Sequence, residues 1–460
     1  MDDVQASTWP TFRGLFTTSA GLLAVALLVV ELVAGIQTYV TSTVTPLAAG
    51  DLDGQAQYGL AQAANQVGLF LTLPMGAYLA SRFDRSNLLL IFTGVAIVGA
   101  AVSAVAPSMG WYVVGRGITG LASGALATIA MNVVATSLPK EWRRLVLAGY
   151  AGMWVVTSLV GPLYAAWISA IVGWRWTLIL YLPVLIGARF LVARHIPRRS
   201  PRNEAANGTL NIWASIVLAA GIALVAAGGS GRSVSIVPVV IGVSAVLFAT
   251  HALLPTGTFL LRRGRPAAIA LFGLLTSVYF GASAVIAIVG HDVFQLGPVG
   301  IGLLLTLGGL GWAVVGFICG RRPSPSDRGF LVRVGWGGAL VAVSLTAVAL
   351  VPLFQSRELS VGALFAGWTV CGAGMGLCYL ELVSRIFDQP NTDDGITAPH
   401  AASAAVIVEV IATALATTAT ASAFSIQANT LTVTVVFTAL VVIAIILVAL
   451  LHRTLEHQEA

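Results

Sequence analysis

Residues 19–47 read SAGLLAVALLVVELVAGIQTYVTSTVTPL, a stretch in which Glu31 is the lone charged side chain. A bilayer hydrocarbon core about 30 Å thick is crossed by roughly 20 apolar residues in a helix, so this segment is long enough to span. It is far longer than the 7–15-residue apolar core of a secretory leader, and the acidic Met1-Asp2-Asp3 before it is the opposite of a leader's basic start. The expectation is a retained first membrane span.

The same pattern recurs along the chain. Fourteen candidate spans follow at approximately 19–47, 60–82, 87–107, 109–138, 145–172, 176–194, 210–228, 235–254, 267–290, 298–320, 330–353, 359–384, 398–424 and 430–451, here numbered helices 1 to 14. Across the 460 residues 57% are hydrophobic and 9% charged, and the mean hydropathy is +0.92. Soluble domains carry about 25% charge, so this chain lacks the polar residues to cover a water-facing surface. The class expected is an all-α polytopic membrane protein.

The net charge of +6 does not call for a nucleic-acid partner, because the basic residues fall in small groups between apolar runs. With the N-terminus in the cytoplasm, every Lys and Arg except Arg116, Arg175, Arg232 and Arg357 falls in an inner loop or at an inner helix end. The positive-inside rule therefore predicts a multi-pass protein with both termini cytoplasmic. Cys319, Cys371 and Cys378 all lie in apolar runs and form neither a disulfide framework nor a metal-ligand pattern. No HExxH, GxSxG or Walker sequence is present, so no metal, catalytic residue or cofactor is expected.

Loops this short cannot hold a folded domain. The longest inner one, His195 to Thr209 (HIPRRSPRNEAANGT), reads as a boundary between halves. An internal repeat supports it. Gly76-Ala-Tyr-Leu-Ala-Ser-Arg82 leaves helix 2 much as Gly316-Phe-Ile-Cys-Gly-Arg321-Arg322 leaves helix 10, and Arg116 to Gly124 parallels Trp368 to Gly376. The organisation expected is a six-helix bundle over 1–195, a linker with two inserted helices over 196–255, and a second six-helix bundle over 256–460.

Ionisable groups deep in a membrane are costly and mark function by default. Glu31 lies mid-way along helix 1, with Gly35, Thr38, Ser42 and Thr45 on its helical face, a polar stripe suited to line a cavity. Gln37 and Thr38 are candidate cavity residues, with Thr119 on helix 4 and Trp154 on helix 5. Tyr150, Tyr164 and Trp167, also on helix 5, offer further aromatic surface. Glu409 sits mid-way along helix 13 among small residues, and Glu381 stands four residues before Arg385, the spacing of a helix-end ion pair. Arg116, always charged, needs a carboxylate, an anion or water. Its simplest role is intermittent pairing with an acid, so that proton binding to Glu31 or Glu409 biases the conformation. Gly161-Pro162 gives up one backbone bond and permits a kink. His291-Asp292, Asp393-Asp394 and Asp51-Leu-Asp53 read as solvated rim or loop residues.

These segments resemble the major facilitator superfamily, and within it the fourteen-helix drug:proton antiporter branch. Leu79-Ala-Ser-Arg82-Phe-Asp84-Arg85 is similar to the helix 2–3 loop motif, and Arg116-Gly-Ile-Thr119-Gly120 to the family's Arg-x-x-Gln-Gly. Gly152 through Gly161-Pro162, then Gly173-Trp174-Arg175-Trp176, is similar to the antiporter motif of helix 5. The sequence departs from the family where Ser81 replaces an acid, Asp84 a Gly, Thr119 a Gln, and Gln37 the acid that many members carry late in helix 1. The resemblance implies a major facilitator fold, two six-helix bundles plus the inserted hairpin, with Arg82, Asp84, Arg85, Gly161 and Pro162 as conformational motif residues. It implies alternating-access export of a small amphipathic substrate, drug or natural product, from the plasma membrane by a monomer driven by the proton gradient. The alternatives are a proton-coupled importer or lipid transporter of the same fold and, further off, a membrane enzyme or scaffold.

Overall fold

A computed structural model describes residues 14–196, 212–230, 235–324, 326–354, 356–387, 396 and 398–455. Arg13, most of the His195–Thr209 loop and Asp393-Asp394 lie outside these residues, as does the side chain of Trp154. The chain runs through α1 (Ser19–Asp51), α2 (Tyr58–Arg82), α3 (Arg85–Ala104), α4 (Met109–Ser137), α5 (Lys140–Ile171), α6 (Leu182–His195) and α7 (Ile212–Gly228). It continues through α8 (Ile236–Leu253), α9 (Arg265–Ile288), α10 (Pro298–Arg321), α11 (Asp327–Leu350), α12 (Arg357–Phe387), α13 (Ala398–Ile426) and α14 (Thr430–Leu450). No strand occurs among the described residues, as hydrocarbon demands, since a helix satisfies its own backbone where no water can.

Among the described residues, eleven helices are long and apolar enough to cross a membrane. The three helices outside that set have local reasons. Gln62, Asn65 and Gln66 interrupt α2, α7 is 17 residues long, and α5 has an uncharged run from Leu145 to Ile171 of which several side chains lie outside the described residues. Two boundaries also differ from the sequence expectation. The sixth segment begins as a separate turn, Trp174–Thr177, because the Trp174 indole donates to Asp51 at 3.2 Å and the Thr177 hydroxyl shares a 2.9 Å bond with Ser169; Pro183 then opens α6. At its far end α9 widens into a π turn, Val289–Val293, with Phe294 N bonded to Val289 O at 3.1 Å.

Two sets of helices repeat one packing scheme. In the first, α1 lies on α5, α2 on α4, and α3 on α4; in the second, α9 lies on α13, α10 on α12, and α11 on α12. Glycine makes the closest of these approaches. A Cβ at Gly120 would collide with the Asn65 carbonyl of α2, and one at Gly372 with the Gly308 carbonyl of α10. Close backbone contact through small residues replaces the hydrophobic drive that lipid removes. The pair α7–α8 packs outside both sets. Ala219, Ile222 and Ala226 of α7 sit among Ala63 and Phe70 of α2 and Ile411 and Ala414 of α13.

The sets meet along two seams, α5 with α10 and α2 with α13. Helix α5 is continuous through Pro162, so no break occurs there. Pro162 cannot bond the Ser158 carbonyl, and a Cβ on Gly309 of α10 would stand 2.9 Å from that oxygen. The helix-breaking residue thus contributes to a seam. The ends carrying Arg82, Arg321 and Arg385 are taken as the inner face, following the positive-inside rule. Hydrogen bonds join the sets at Tyr58 to Asp292 (2.7 Å), Gly59 N to Ser425 (2.8 Å) and Ser158 to the Gly309 carbonyl (3.4 Å). The first two lie where their helices end on the side opposite Arg82, Arg321 and Arg385, and the third lies midway along α5 and α10.

Replacing Gly120 by Val is expected to cost about 1–3 kcal/mol through overpacking, seen as a lower midpoint in a thermal melt of detergent-solubilised protein. Gly152→Val, where an added Cβ meets nothing within 4 Å, is expected to leave the midpoint nearly unchanged.

Candidate functional site

Within the second set, α9, α10 and α12 bring together a cluster of rings. Tyr279 stacks on Trp368 at 5.4 Å and meets Trp312 edge-on at 5.3 Å. Phe280 lies 6.1 Å from Trp312, while Tyr379 lies 5.4 Å from Trp312 and 5.2 Å from Phe272. Phe272, Tyr279 and Trp368 are buried, whereas Phe280, Trp312 and Tyr379 remain half-buried, so the second trio forms the accessible wall. Edge-to-face rings at these distances hold one another rigidly. Tyr39 of α1 comes within electrostatic reach of Tyr279, which carries the wall across to the first set.

Glu409 of α13 completes this wall. The Tyr379 hydroxyl donates to its Oε1 at 2.9 Å, and the carboxyl is half-buried. A carboxyl beside accessible aromatic faces provides a hydrogen-bonded acid and a surface suited to an apolar or cationic molecule. Sequence reading marked Glu409 but missed its companions. The spacing that places Trp368 and Tyr379 eleven residues, about three turns, apart on α12 was the available signal.

The other expected residues are distributed more widely. Glu31 is half-buried on α1, within electrostatic reach of Tyr150 on α5. Gln37 is half-buried and Thr38 exposed, although the Thr38 hydroxyl also donates to the Ala34 carbonyl at 3.3 Å. The stripe below Glu31 does not face one cavity throughout. A Cβ on Gly35 would clash with Thr157 of α5, and Thr45 is buried against Tyr112 at 3.3 Å. Thr119 is a correction. It is 3% exposed, its hydroxyl bonds the Gly115 carbonyl at 2.9 Å, and it packs against Gly99 of α3, away from the cleft. The aromatic surface expected on α5 also moves. Trp167 is 63% exposed on the outside of the bundle, and Tyr164 donates to the Thr177 carbonyl at 3.4 Å.

Arg116 is buried and donates to the Thr41 hydroxyl of α1 at 2.9 Å, while its Nε has no partner. Among the described residues no carboxylate lies within ion-pair distance of it, so the expected pairing with an acid is not formed in this state. In the helix 2–3 motif, Asp84 accepts from Asn87 N at 3.0 Å and caps α3, and the Arg82 guanidinium lies 4.5 Å over the Tyr78 ring. Arg85 is half-buried at the start of α3. Gly161 is buried where a Cβ would press on Tyr39, and the Pro162 carbonyl faces Gly302 of α10. The pairing expected between Glu381 and Arg385 gives way to two others. Glu381 accepts from Arg333 and from Ser324 N, and Arg385 pairs with Asp327 at 2.7 Å. Ser324 in the loop after α10 and Arg333 on α11 hold Glu381 instead, which same-helix spacing cannot reveal.

Two sets of membrane-length apolar helices that repeat one packing scheme and meet along two seams define a membrane transporter. Residues 27–417 match the Major Facilitator Superfamily, and the chain belongs to that family. It is 26% identical over 404 residues, 82% of each chain, to a probable multidrug-efflux transporter of Mycobacterium tuberculosis. It is also 26% identical to the acurin A biosynthesis cluster MFS-type transporter of Aspergillus aculeatus, but this match spans only 40% of the present chain and 33% of that relative. A POT family transporter crystallised with 5-aminolevulinic acid shares the fold at a TM-score of 0.66, with 15% identity and coverage of 96% and 97%.

Breaking the buried Glu381–Arg333 pair with Arg333→Met is expected to destabilise the protein by about 3–5 kcal/mol, because the carboxylate is left uncompensated. Thermal melts of Arg333→Met and of the double variant Arg333→Met/Glu381→Met measure this, the double variant recovering much of the loss.

Proposed function

We propose that this chain is a proton-driven exporter of amphipathic small molecules. It comprises fourteen spans, a bundle of α1–α6 (residues 1–195), a linker and hairpin (196–255), and a bundle of α9–α14 (256–460). The bundles rock about a central site, in the plasma membrane, with both termini cytoplasmic and the monomer as the working unit. The observation that carries this reading is the half-buried Glu409, held by Tyr379 beside the half-buried rings of Phe280 and Trp312. A molecule with apolar surface enters from the inside and settles on Phe280, Trp312 and Tyr379. After the bundles rock, a proton from outside binds Glu409 or Glu31, substrate leaves, and the proton is released inward on return. Membrane potential adds about 2.3 kcal/mol per charge per 100 mV to the pH gradient. The efflux activity in the name of the mycobacterial relative, which aligns over most of both chains, favours the outward direction.

Arg116 and the residues Arg82, Asp84, Arg85, Gly161 and Pro162 act on the bundles rather than on substrate. Arg116 stays with Thr41 in this state and pairs with an acid when α1 and α4 shift.

In liposomes loaded with a pH-sensitive dye, addition of a lipophilic amine is expected to evoke proton flux in the wild type. The flux should fall at least about tenfold in Glu409→Gln, the loss of an essential protonatable group, and should also fall in Glu31→Gln. Undiminished flux in both variants removes the coupling role of these acids; no flux with any amphiphile removes the exporter reading.

A further inference from the structure

Away from the cleft, the outer face carries a second ionisable cluster. Tyr58, the first residue of α2, is completely buried and donates its hydroxyl to Asp292 Oδ2 at 2.7 Å. The other carboxylate oxygen lies 2.6 Å from His291 Nδ1. His291 and Asp292 occupy the π turn that ends α9, a rare conformation that concentrates at functional sites. The turn is held from several directions. Gln295, at φ +54°, donates to the Asp292 carbonyl at 2.9 Å, Arg357 donates to the Phe294 carbonyl at 2.9 Å, and a Cβ on Gly50 of α1 would stand 3.2 Å from the His291 ring. A buried carboxylate on a fixed turn therefore ties the second bundle to the first, beside the Gly59–Ser425 bond on the same seam.

We propose that Tyr58, His291 and Asp292 form an external proton-binding site, separate from the cleft, that latches the outer face shut and releases it on protonation. The outer face opens only if the Tyr58–Asp292 bond breaks. In the shut form the carboxylate has two neighbours, the phenol and the imidazole; in the open form it keeps the imidazole alone. A proton taken up by the pair cancels the negative charge that strengthens the Tyr58–Asp292 bond, so external acid weakens the tie between the bundles. Histidine is the side-chain type suited to exchange that proton in the physiological range. The side chains are 27% and 11% exposed, enough for water to reach the imidazole first.

Other ionisable groups on the neighbouring outer elements are already engaged or stand apart. Asp51 at the end of α1 is paired with Arg175 at 2.6 Å and bonded by Trp174. Asp53 lies exposed on the α1–α2 loop, and Arg357 at the start of α12 is committed to the Phe294 carbonyl. Acid applied outside thus acts here on the His291–Asp292 pair. The site serves whatever substrate the cleft takes, and its test needs none, so its failure and that of the exporter reading are separable.

The reporter is Ser425→Cys, 4% exposed on the same seam and uncovered when that seam opens, in a chain whose own Cys319, Cys371 and Cys378 are buried. Right-side-out membrane vesicles holding the full-length protein, buffered inside at neutral pH, are treated from outside with a membrane-impermeant maleimide. Rates are compared with those of the same Cys in Tyr58→Phe at the same pH, which cancels the fall in thiolate fraction on acidification. The otherwise unmutated latch is expected to label much more slowly than Tyr58→Phe at external pH 8 and to approach it at pH 6. Tyr58→Phe, which removes only the hydroxyl, and Asp292→Asn should label at least about tenfold faster at pH 8, as loss of a hydrogen bond to a charged group implies. His291→Gln, which keeps a donor but cannot change charge, should stay slow at both pH values. Slow labelling in Tyr58→Phe and Asp292→Asn overturns the latch, and an intact pH response in His291→Gln overturns the proton site.

Discussion

Exclusion of water from hydrocarbon governs everything else in this molecule. Backbone groups inside a bilayer must be satisfied within their own helix, and apolar side chains gain little by leaving lipid for one another. The helices therefore hold together by approaching closely. Gly120 against the Asn65 carbonyl and Gly372 against the Gly308 carbonyl are the same solution applied twice, once in each bundle. Polar groups follow the same rule. The Arg116 guanidinium meets the Thr41 hydroxyl, and Glu381 meets Arg333 and Ser324 N.

Bundles built this way meet along α5 with α10 and α2 with α13, and hydrogen bonds cross these seams at Tyr58–Asp292, Gly59–Ser425 and Ser158–Gly309. The α7–α8 hairpin packs on the second seam, against α2 and α13. The division of chemistry is equally uneven. The first bundle contributes a buried arginine and hydroxyls, while the second supplies the accessible rings and Glu409, which makes it the principal substrate-facing wall in the proposed mechanism.

Much of the fold was legible in the sequence because hydrocarbon thickness and helical rise convert apolar run length directly into spans. The observed helices α1, α4, α10 and α13 fall within a few residues of their expected limits. The π turn at 289–293 and the break before α6 were not legible, since both are imposed by partners distant in sequence, such as Asp51 for Trp174. Among site residues, burial cost alone singled out Glu31, Arg116 and Glu409. Thr119 was misread because alignment with a motif says which helix a residue occupies, not which neighbour its face meets; Gly99 of α3 leaves room for it on the side away from the cleft.

The sequence by itself determined the medium and the helical class, and its repeated glycines and basic clusters supplied the expectation of two bundles and of an orientation. These depend on composition and on periodicity within single helices. Tertiary structure alone decided that Tyr379 holds Glu409, that Arg333 rather than Arg385 meets Glu381, and that Tyr58 reaches Asp292 across 234 residues of chain. Those pairings depend on the rotation of each helix about its axis, which is set by packing among all its neighbours and is written in no local pattern.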